Sequence, residues 1–194
     1  MQVVKKIKKI SLSKSFFPFL RYQFLIKSFN KKIKPYKINR EILSVGDVVF
    51  ALCYSTEEKK FYLIKQFRPF SYVRKEKYKY ELVGGLVDKG ETITHALKRE
   101  IMEEIGVKTL KIKKLTKYCP APGYSDEIVN VYYAEVEKIK KSHLYNKFEN
   151  EEIKVSKFSL FQLKKINSSE QVQNVLTKVS IYEYLRQIKK SLRY

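Results

Sequence analysis

A mixed α/β fold, mostly antiparallel in its strands and sparing in its helices, is what this 194-residue sequence predicts. Three observations carry that reading. Stretches rich in Val, Ile, Phe and Tyr recur along the chain, bounded by polar or Gly/Pro turns, which is how strands read. Few segments space their apolar residues by three and four, as helices do. Hydrophobic residues make up 44% of the chain, enough for one domain with a real core and a small extra element.

The elements follow in order. Residues 8–45 alternate loosely and predict short strands joined by turns at Asn30 and Pro35. GDVVFALCYS (46–55) and FYLIKQFR (61–68), separated by the polar STEEKK, predict a β-hairpin. KYELVGGLVD predicts a strand ending at the Gly84-Gly85 pair, and ETITHALKREIMEEIG a helix. LKIKKLTKYCP, EIVNVYYAEV and EEIKVSKFSL predict three more strands. Ser159 is placed to cap a short helix, LFQLKKI. In the tail, Val172, Val175, Leu176, Val179 and Tyr182 have helical spacing, with Ser168 or Ser169 as N-cap. The predicted organisation is an N-terminal β-rich segment, 1–42, followed by the main domain, 43–194.

The formal charge is +21. It favours anionic partners: nucleotides, nucleic acid or an anionic membrane surface. The lysines are dispersed, however, and a lysine-rich compositional bias accounts for the excess equally well. Cys53 and Cys119 lack the spacing of a zinc site, and two free thiols suit a reducing cytoplasm. No apolar run approaches the ~18–20 residues of a membrane span; SFFPFLRYQFLI is broken by Pro18, Arg21 and Gln23. The basic start, MQVVKKIKKI, is not followed by a signal-peptide core and is read as mature protein.

Against that basic background, KREIMEEIG crowds Glu100, Glu103 and Glu104 into little more than one helical turn. Like charges three and four apart repel, so a cation or basic neighbours must compensate. Ile93, Leu97, Ile101 and Ile105 form a buried stripe, while Glu100 and Glu104 share a face with Glu103 about 60° around the axis. Converging carboxylates suit a hard cation, Mg²⁺ or alternatively Mn²⁺. The glycine-bearing loop just upstream lets backbone carbonyls approach the same ion. His95 faces away from this ridge and is read as simply exposed.

GLVDKGETITHALKREIMEEIGV resembles the Nudix box: Gly85, Glu91, Arg99, Glu100, Ile101, Glu103, Glu104, Gly106 and Val107 fill every defined position. A surface helix paired with lysines explains most EExG stretches, but not a full box. The resemblance implies an α/β/α sandwich and hydrolysis of a nucleoside diphosphate linked to another group. It also implies Mg²⁺ held by Glu100, Glu104 and the Gly84 carbonyl, with Glu103 as auxiliary ligand or water-orienting group. Arg99 and Glu91 match a structural pair, with Gly85 and Gly106 as the box glycines.

Beyond the box, KQFRPFSY, PAPGYSDE (120–127) and FENEEIKV (148–155) resemble the nucleotide-sugar diphosphatase branch. There Pro122, Gly123, Ser125 and Glu127 match a Pro-Gly-x-Ser-x-Glu setting. Arg68 matches a position contacting nucleotide or phosphates, against a plain strand-end residue, and Glu81 a supporting position. The general base of that branch lies in a loop after the box, where Glu149 and Glu151 both match; a solvated acidic turn is the plainer reading of that loop. ADP-ribose, cleaved to AMP and ribose 5-phosphate, stands first, with UDP-sugars open, since ELVGGLVDKGET departs from the UDP-sugar subgroup's Cys-Ala-Gly pattern. The branch implies a homodimer through its N-terminal strands. Rivals are hydrolysis of RNA caps or dinucleoside polyphosphates, and a non-catalytic RNA-binding module. The Pro-Gly-x-Ser-x-Glu stretch argues against the first, and the intact glutamates and lack of an RNA-recognition signature against the second.

Overall fold

Seven strands of one sheet carry the glutamate-bearing helix, and a separate three-stranded sheet precedes them, in a computed structural model that describes residues 4–13, 15–146 and 150–191. The chain divides into two units, one of Met1–Gly46 with Cys119–Ile128, the other of Asp47–Tyr118 with Val129–Tyr194.

In the first unit, β1 (Val4–Ser11), β2 (Phe19–Ile26) and β3 (Tyr36–Leu43) form an antiparallel sheet with β2 central. Segment 119–128 is tied to this sheet's end. Ser125 bridges Leu43, and the Asp126 carboxylate accepts from Val45 N at 2.7 Å, Gly46 N at 3.0 Å and Ser44 Oγ at 2.9 Å. Burial works to raise the Asp126 pKa, but these donors hold it below its ordinary value.

In the second unit the sheet order is β7 (Thr109–Tyr118), β8 (Ile128–Val136), β4 (Asp47–Ser55), β5 (Lys60–Lys65), β10 (Glu151–Phe158) and β9 (His143–Asn146). β6 (Val83–Leu86) pairs antiparallel with β4 across Val48–Ala51, while β5 pairs with Cys53–Ser55 of the same strand. Both faces of this sheet are covered, which is why Phe61, Tyr62, Leu63 and Ile64 are all buried in one unbroken run. Val49, Ala51, Cys53, Tyr62 and Ile64 pack with Ala96, Leu97, Ile101 and Ile105 of α2 (Ile93–Ile105) in one core. Phe61 instead meets Tyr184 of α4 (Val175–Ser191), ring centroids 5.3 Å apart, and Tyr184 stacks on Tyr133. The α/β/α arrangement expected from the box is therefore present.

Several local features differ from the sequence reading. β6 runs through the glycine pair instead of ending at it. A short helix, α1 (Pro69–Val73), and the short strand β9 carry little periodic signal at five and four residues. Ser159 caps α3 (Leu160–Asn167) through a full capping box with Gln162, as expected. Ser168 and Ser169, however, finish α3; Ser169 Oγ donates back to Ile166 O at 2.7 Å, and Asn174, whose Oδ1 accepts from Leu176 N, opens α4. Val172 is buried in the irregular segment ahead of the helix, not on it.

Candidate active site

Helix α2 is fixed in position at both ends. Thr92 Oγ1 accepts from His95 N at 3.2 Å, and Gly106, at φ 68°, closes the helix by donating to Met102 O. Leu97, Ile101 and Ile105 seat one face in the core, which sets the rotation of the whole helix. Glu104 lies three residues after Ile101, so it is drawn to the edge of the buried stripe. It is only 6% exposed. The three glutamates therefore do not sit on one open ridge: Glu104 is buried, Glu100 is nearly so, and Glu103 faces outward with its side chain 39% exposed.

Strand β6 receives the two inward carboxylates. Gly84 N donates to Glu104 Oε2 at 2.7 Å. Gly85 leaves room for Glu100: a Cβ there would lie 2.5 Å from Glu100 Oε1 and 2.8 Å from its carboxyl carbon. Gly84 is needed for a different reason. Its φ is +148°, and a Cβ would run into the backbone carbonyl of Val49.

The charge balance at this point is unfavourable. Burial pushes the Glu104 carboxyl well above its ordinary range; Glu100 and Glu151 add like-charge repulsion, against the Gly84 amide and Arg68, which pull it down. The neighbouring Cys53 thiol is also pushed up, by burial first and then by Glu104. A buried carboxylate with too few compensating charges is where a cation is favoured.

Arg68 and Glu81 stand beside this cluster. Glu81 pairs with Ile64 of β5 through the backbone and accepts both Nε (3.0 Å) and Nη2 (2.9 Å) of Arg68. Burial alone would lower the Arg68 pKa, but Glu81 foremost, then Glu104 and Glu151, raise it above the ordinary value. Gln66, buried in the same stretch, went unrecognised in the sequence. Its amide could donate to Glu104 Oε1 at 3.4 Å, but that orientation turns NH₂ toward a guanidinium and oxygen toward a carboxylate. The opposite orientation accepts from Arg68 Nη2 at 2.7 Å and donates to Glu151 Oε2 at 3.1 Å. Arg has only donors and an ionised carboxylate only accepts, so the second orientation is the satisfied one. The only hint in the sequence was a polar residue closing an apolar strand run.

Arg99 organises the outer side. Its guanidinium reaches Glu91 (3.0 and 3.1 Å), Glu100 Oε1 (2.8 Å), Glu103 Oε2 (3.1 Å) and the Leu86 carbonyl (3.0 Å). The expected Arg99–Glu91 pair is thus one edge of a larger network. Hydrogen bonding by Arg99 first, then by His95, holds the Glu91 carboxyl at about 2, against desolvation. His95 is exposed, as read, yet it is not idle: its Nδ1 lies 2.6 Å from Glu91 Oε1.

Two cavities open beside these groups. One of about 390 Å³ is lined by Arg68, Ser71, Lys79, Glu81 and Asn174. The other, about 540 Å³, is lined by Gln66, Phe67, Tyr78, Glu151, Lys65 and Lys154. Both fall in the size range of small-molecule sites, and both carry cationic side chains.

The donor set suits a hard divalent cation: all oxygen, with one carboxylate buried and under-compensated. Glu100 and Glu104 are the inward carboxylates that could hold one, beside Gly84 of β6. Glu103 is turned to Arg99, and among the described residues no three acidic, His or Cys side chains already close around one point.

Gly84, Gly85, Glu100, Glu104, Arg68, Glu81 and Glu151 are thus gathered in the second unit. Pro122, Gly123, Ser125 and Glu127 belong to the first. There Pro122 and Gly123 lie exposed in a turn, Ser125 is buried and accepts from Glu127 N at 3.1 Å, and burial raises the Glu127 pKa. Glu149 lies outside the described residues. No described helix is long and apolar enough to cross a membrane.

The NUDIX domain family matches residues 46–178. The ADP-ribose pyrophosphatase of Bacillus subtilis (strain 168) is 33% identical over 157 residues, covering 79% of each chain. That of Escherichia coli (strain K12) is 27% identical over 154 residues, covering 78% of this chain and 73% of that protein. A GDP-mannose pyrophosphatase of Salmonella paratyphi B (strain ATCC BAA-1250 / SPB7) is 25% identical over 156 residues, covering 79% of this chain and 80% of that protein. The crystal structure of an ADP compounds hydrolase shares the fold with a TM-score of 0.73, 16% identity, and coverage of 98% of this chain and 97% of that one.

Proposed function

Because the chain belongs to the Nudix family of hydrolases, we propose that it hydrolyses the diphosphate of a nucleoside diphosphate sugar, ADP-ribose foremost, giving AMP and ribose 5-phosphate. The observation that carries this reading is the buried Glu104, under-compensated and flanked by Glu100, Glu151 and an anchored arginine.

A Mg²⁺ or Mn²⁺ ion held by Glu100, Glu104 and the Gly84 carbonyl, with Glu103 as auxiliary, would neutralise diphosphate oxygens and acidify the attacking water. The chain's own groups supply the rest. Arg68, fixed by Glu81, presents its remaining donors to phosphate oxygens. Glu151 takes the proton as the water oxygen bonds to phosphorus and the bridging P–O bond breaks, releasing two phosphomonoesters. Of the two candidate glutamates, Glu151, which the structure places at the start of β10 and not in a loop, is the one supported by its position against Gln66 and its charge coupling to Glu104. Pro122, Gly123, Ser125 and Glu127 are assigned to substrate recognition on their motif. Residues 1–42 are assigned to a homodimer on the same resemblance, and the two free thiols, Cys53 and Cys119, suit a reducing cytoplasm.

The test is a Mg²⁺-supplemented panel of ADP-ribose, ADP-glucose, GDP-mannose, UDP-glucose, a dinucleoside polyphosphate and capped RNA, with products separated by chromatography. ADP-ribose turnover to AMP and ribose 5-phosphate is expected. Preference for UDP-glucose or GDP-mannose would reassign the sugar nucleotide. Cleavage of only RNA or polyphosphate would overturn the substrate class. Light scattering of the purified protein checks the dimer.

A further inference from the structure

We propose that Gln66 is a positioning residue that aims Glu151, relaying the fixed geometry of Arg68 to the base; this rests on Glu151 being the general base. Gln66 is 5% exposed and sits just past the end of β5, which the second-unit core holds rigidly. Its amide joins two groups of opposite charge. The oxygen accepts from Arg68 Nη2 at 2.7 Å, and the nitrogen donates to Glu151 Oε2 at 3.1 Å. Arg68 is itself immobilised by two bonds to Glu81, whose backbone is bonded to Ile64. The resulting chain, β5 to Glu81 to Arg68 to Gln66 to Glu151, fixes the amide rotamer by its charged neighbours. Glu151 begins β10, where the strand is paired with Asn146 of β9 while its pairing with β5 starts only at Lys154, so its backbone is held by one neighbouring strand. A directional donor from the buried side, bound to Oε2, selects one orientation of the carboxylate.

Near-attack geometry makes this costly to lose, and comparable supporting groups are worth roughly 10- to 100-fold in activity. Gln66→Met keeps the volume and loses both bonds. Gln66→Glu keeps the acceptor for Arg68 and loses the donor for Glu151. Both are expected to lower kcat about 10- to 100-fold with KM changed by less than about threefold, because Glu81 still holds Arg68. In an Glu151→Gln background, Gln66→Met should have little further effect.

Unfolding temperatures establish that each variant folds. Should Gln66→Met destabilise the protein, the polar Gln66→Glu carries the test alone. Full kcat in Gln66→Glu, a loss confined to KM, or additive losses with Glu151→Gln would each overturn the proposal. Retained activity in Glu151→Gln alone would instead sink the assignment of the base, which is a separate failure.

Discussion

Replacing Gly85 by Ala separates folding from chemistry. The added Cβ would stand 2.5 Å from Glu100 Oε1, and ordinary contact begins near 3.4 Å, so the carboxylate must retreat by about 0.9 Å. What must move is the far end of a side chain, and Gly85 has no positive φ, so little backbone strain follows. Stability should change by no more than about 1 kcal/mol. A displacement of about 1 Å at a reacting centre costs on the order of 100-fold, or about 2.7 kcal/mol of transition-state stabilisation. The assay pairs kcat on ADP-ribose across a Mg²⁺ titration with the unfolding temperature. A kcat within threefold of the parent, at unchanged stability, would refute the placement of Glu100 at the reacting centre. Gly84→Ala is the contrast, since its Cβ collides with the Val49 backbone at φ +148°; it should lose soluble folded protein outright.

Three further outcomes follow. The raised pKa of Glu104 means the cation-free fold binds more protons than the unfolded chain, so this group erodes stability as pH rises above its ordinary 4.5. Thermal melts in chelator should show that fall, Mg²⁺ should reverse it, and Glu104→Gln should abolish both while ending turnover. Glu91 has the opposite sign: depressed from 4.5 to about 2, it contributes stability at neutral pH that is lost as pH falls through that window, and Glu91→Gln should flatten the acid limb of a denaturation curve. Arg99→Lys, which cannot reproduce a fork spanning Glu91, Glu100, Glu103 and Leu86 O, should cost about 2 kcal/mol and weaken Mn²⁺ binding measured by calorimetry.

Much of the fold was legible because the pattern was strong where packing is simple. The stripe Leu97, Ile101, Ile105 had one face to bury, and the hairpin of β4 and β5 had two long apolar runs. Short elements such as α1 and β9 hold too few residues to show a period. The start of α4 is ambiguous in sequence because Ser168, Ser169 and Asn174 are all competent caps; the structure uses Ser168 and Ser169 at the end of α3 and sets Asn174 Oδ1 on Leu176 N. In the site, the box spacing named its members but not their depth. Helical geometry puts Glu100 and Glu104 on one face; it cannot say that β6 lies over that face and turns Glu104 into an interior residue. Gln66 was invisible for the same reason, since its role exists only where β5 and β10 come together.

The bond from Gly84 N to Glu104 Oε2 makes one backbone amide a resident reporter. Its proton points at the buried Glu104 carboxylate, one of the groups proposed above to hold a divalent cation. In a ¹⁵N-labelled sample that resonance should lie downfield, move on protonation of Glu104, and shift again on ion binding. A glycine amide read this way follows the site's charge state residue by residue, without substrate, dye or mutation.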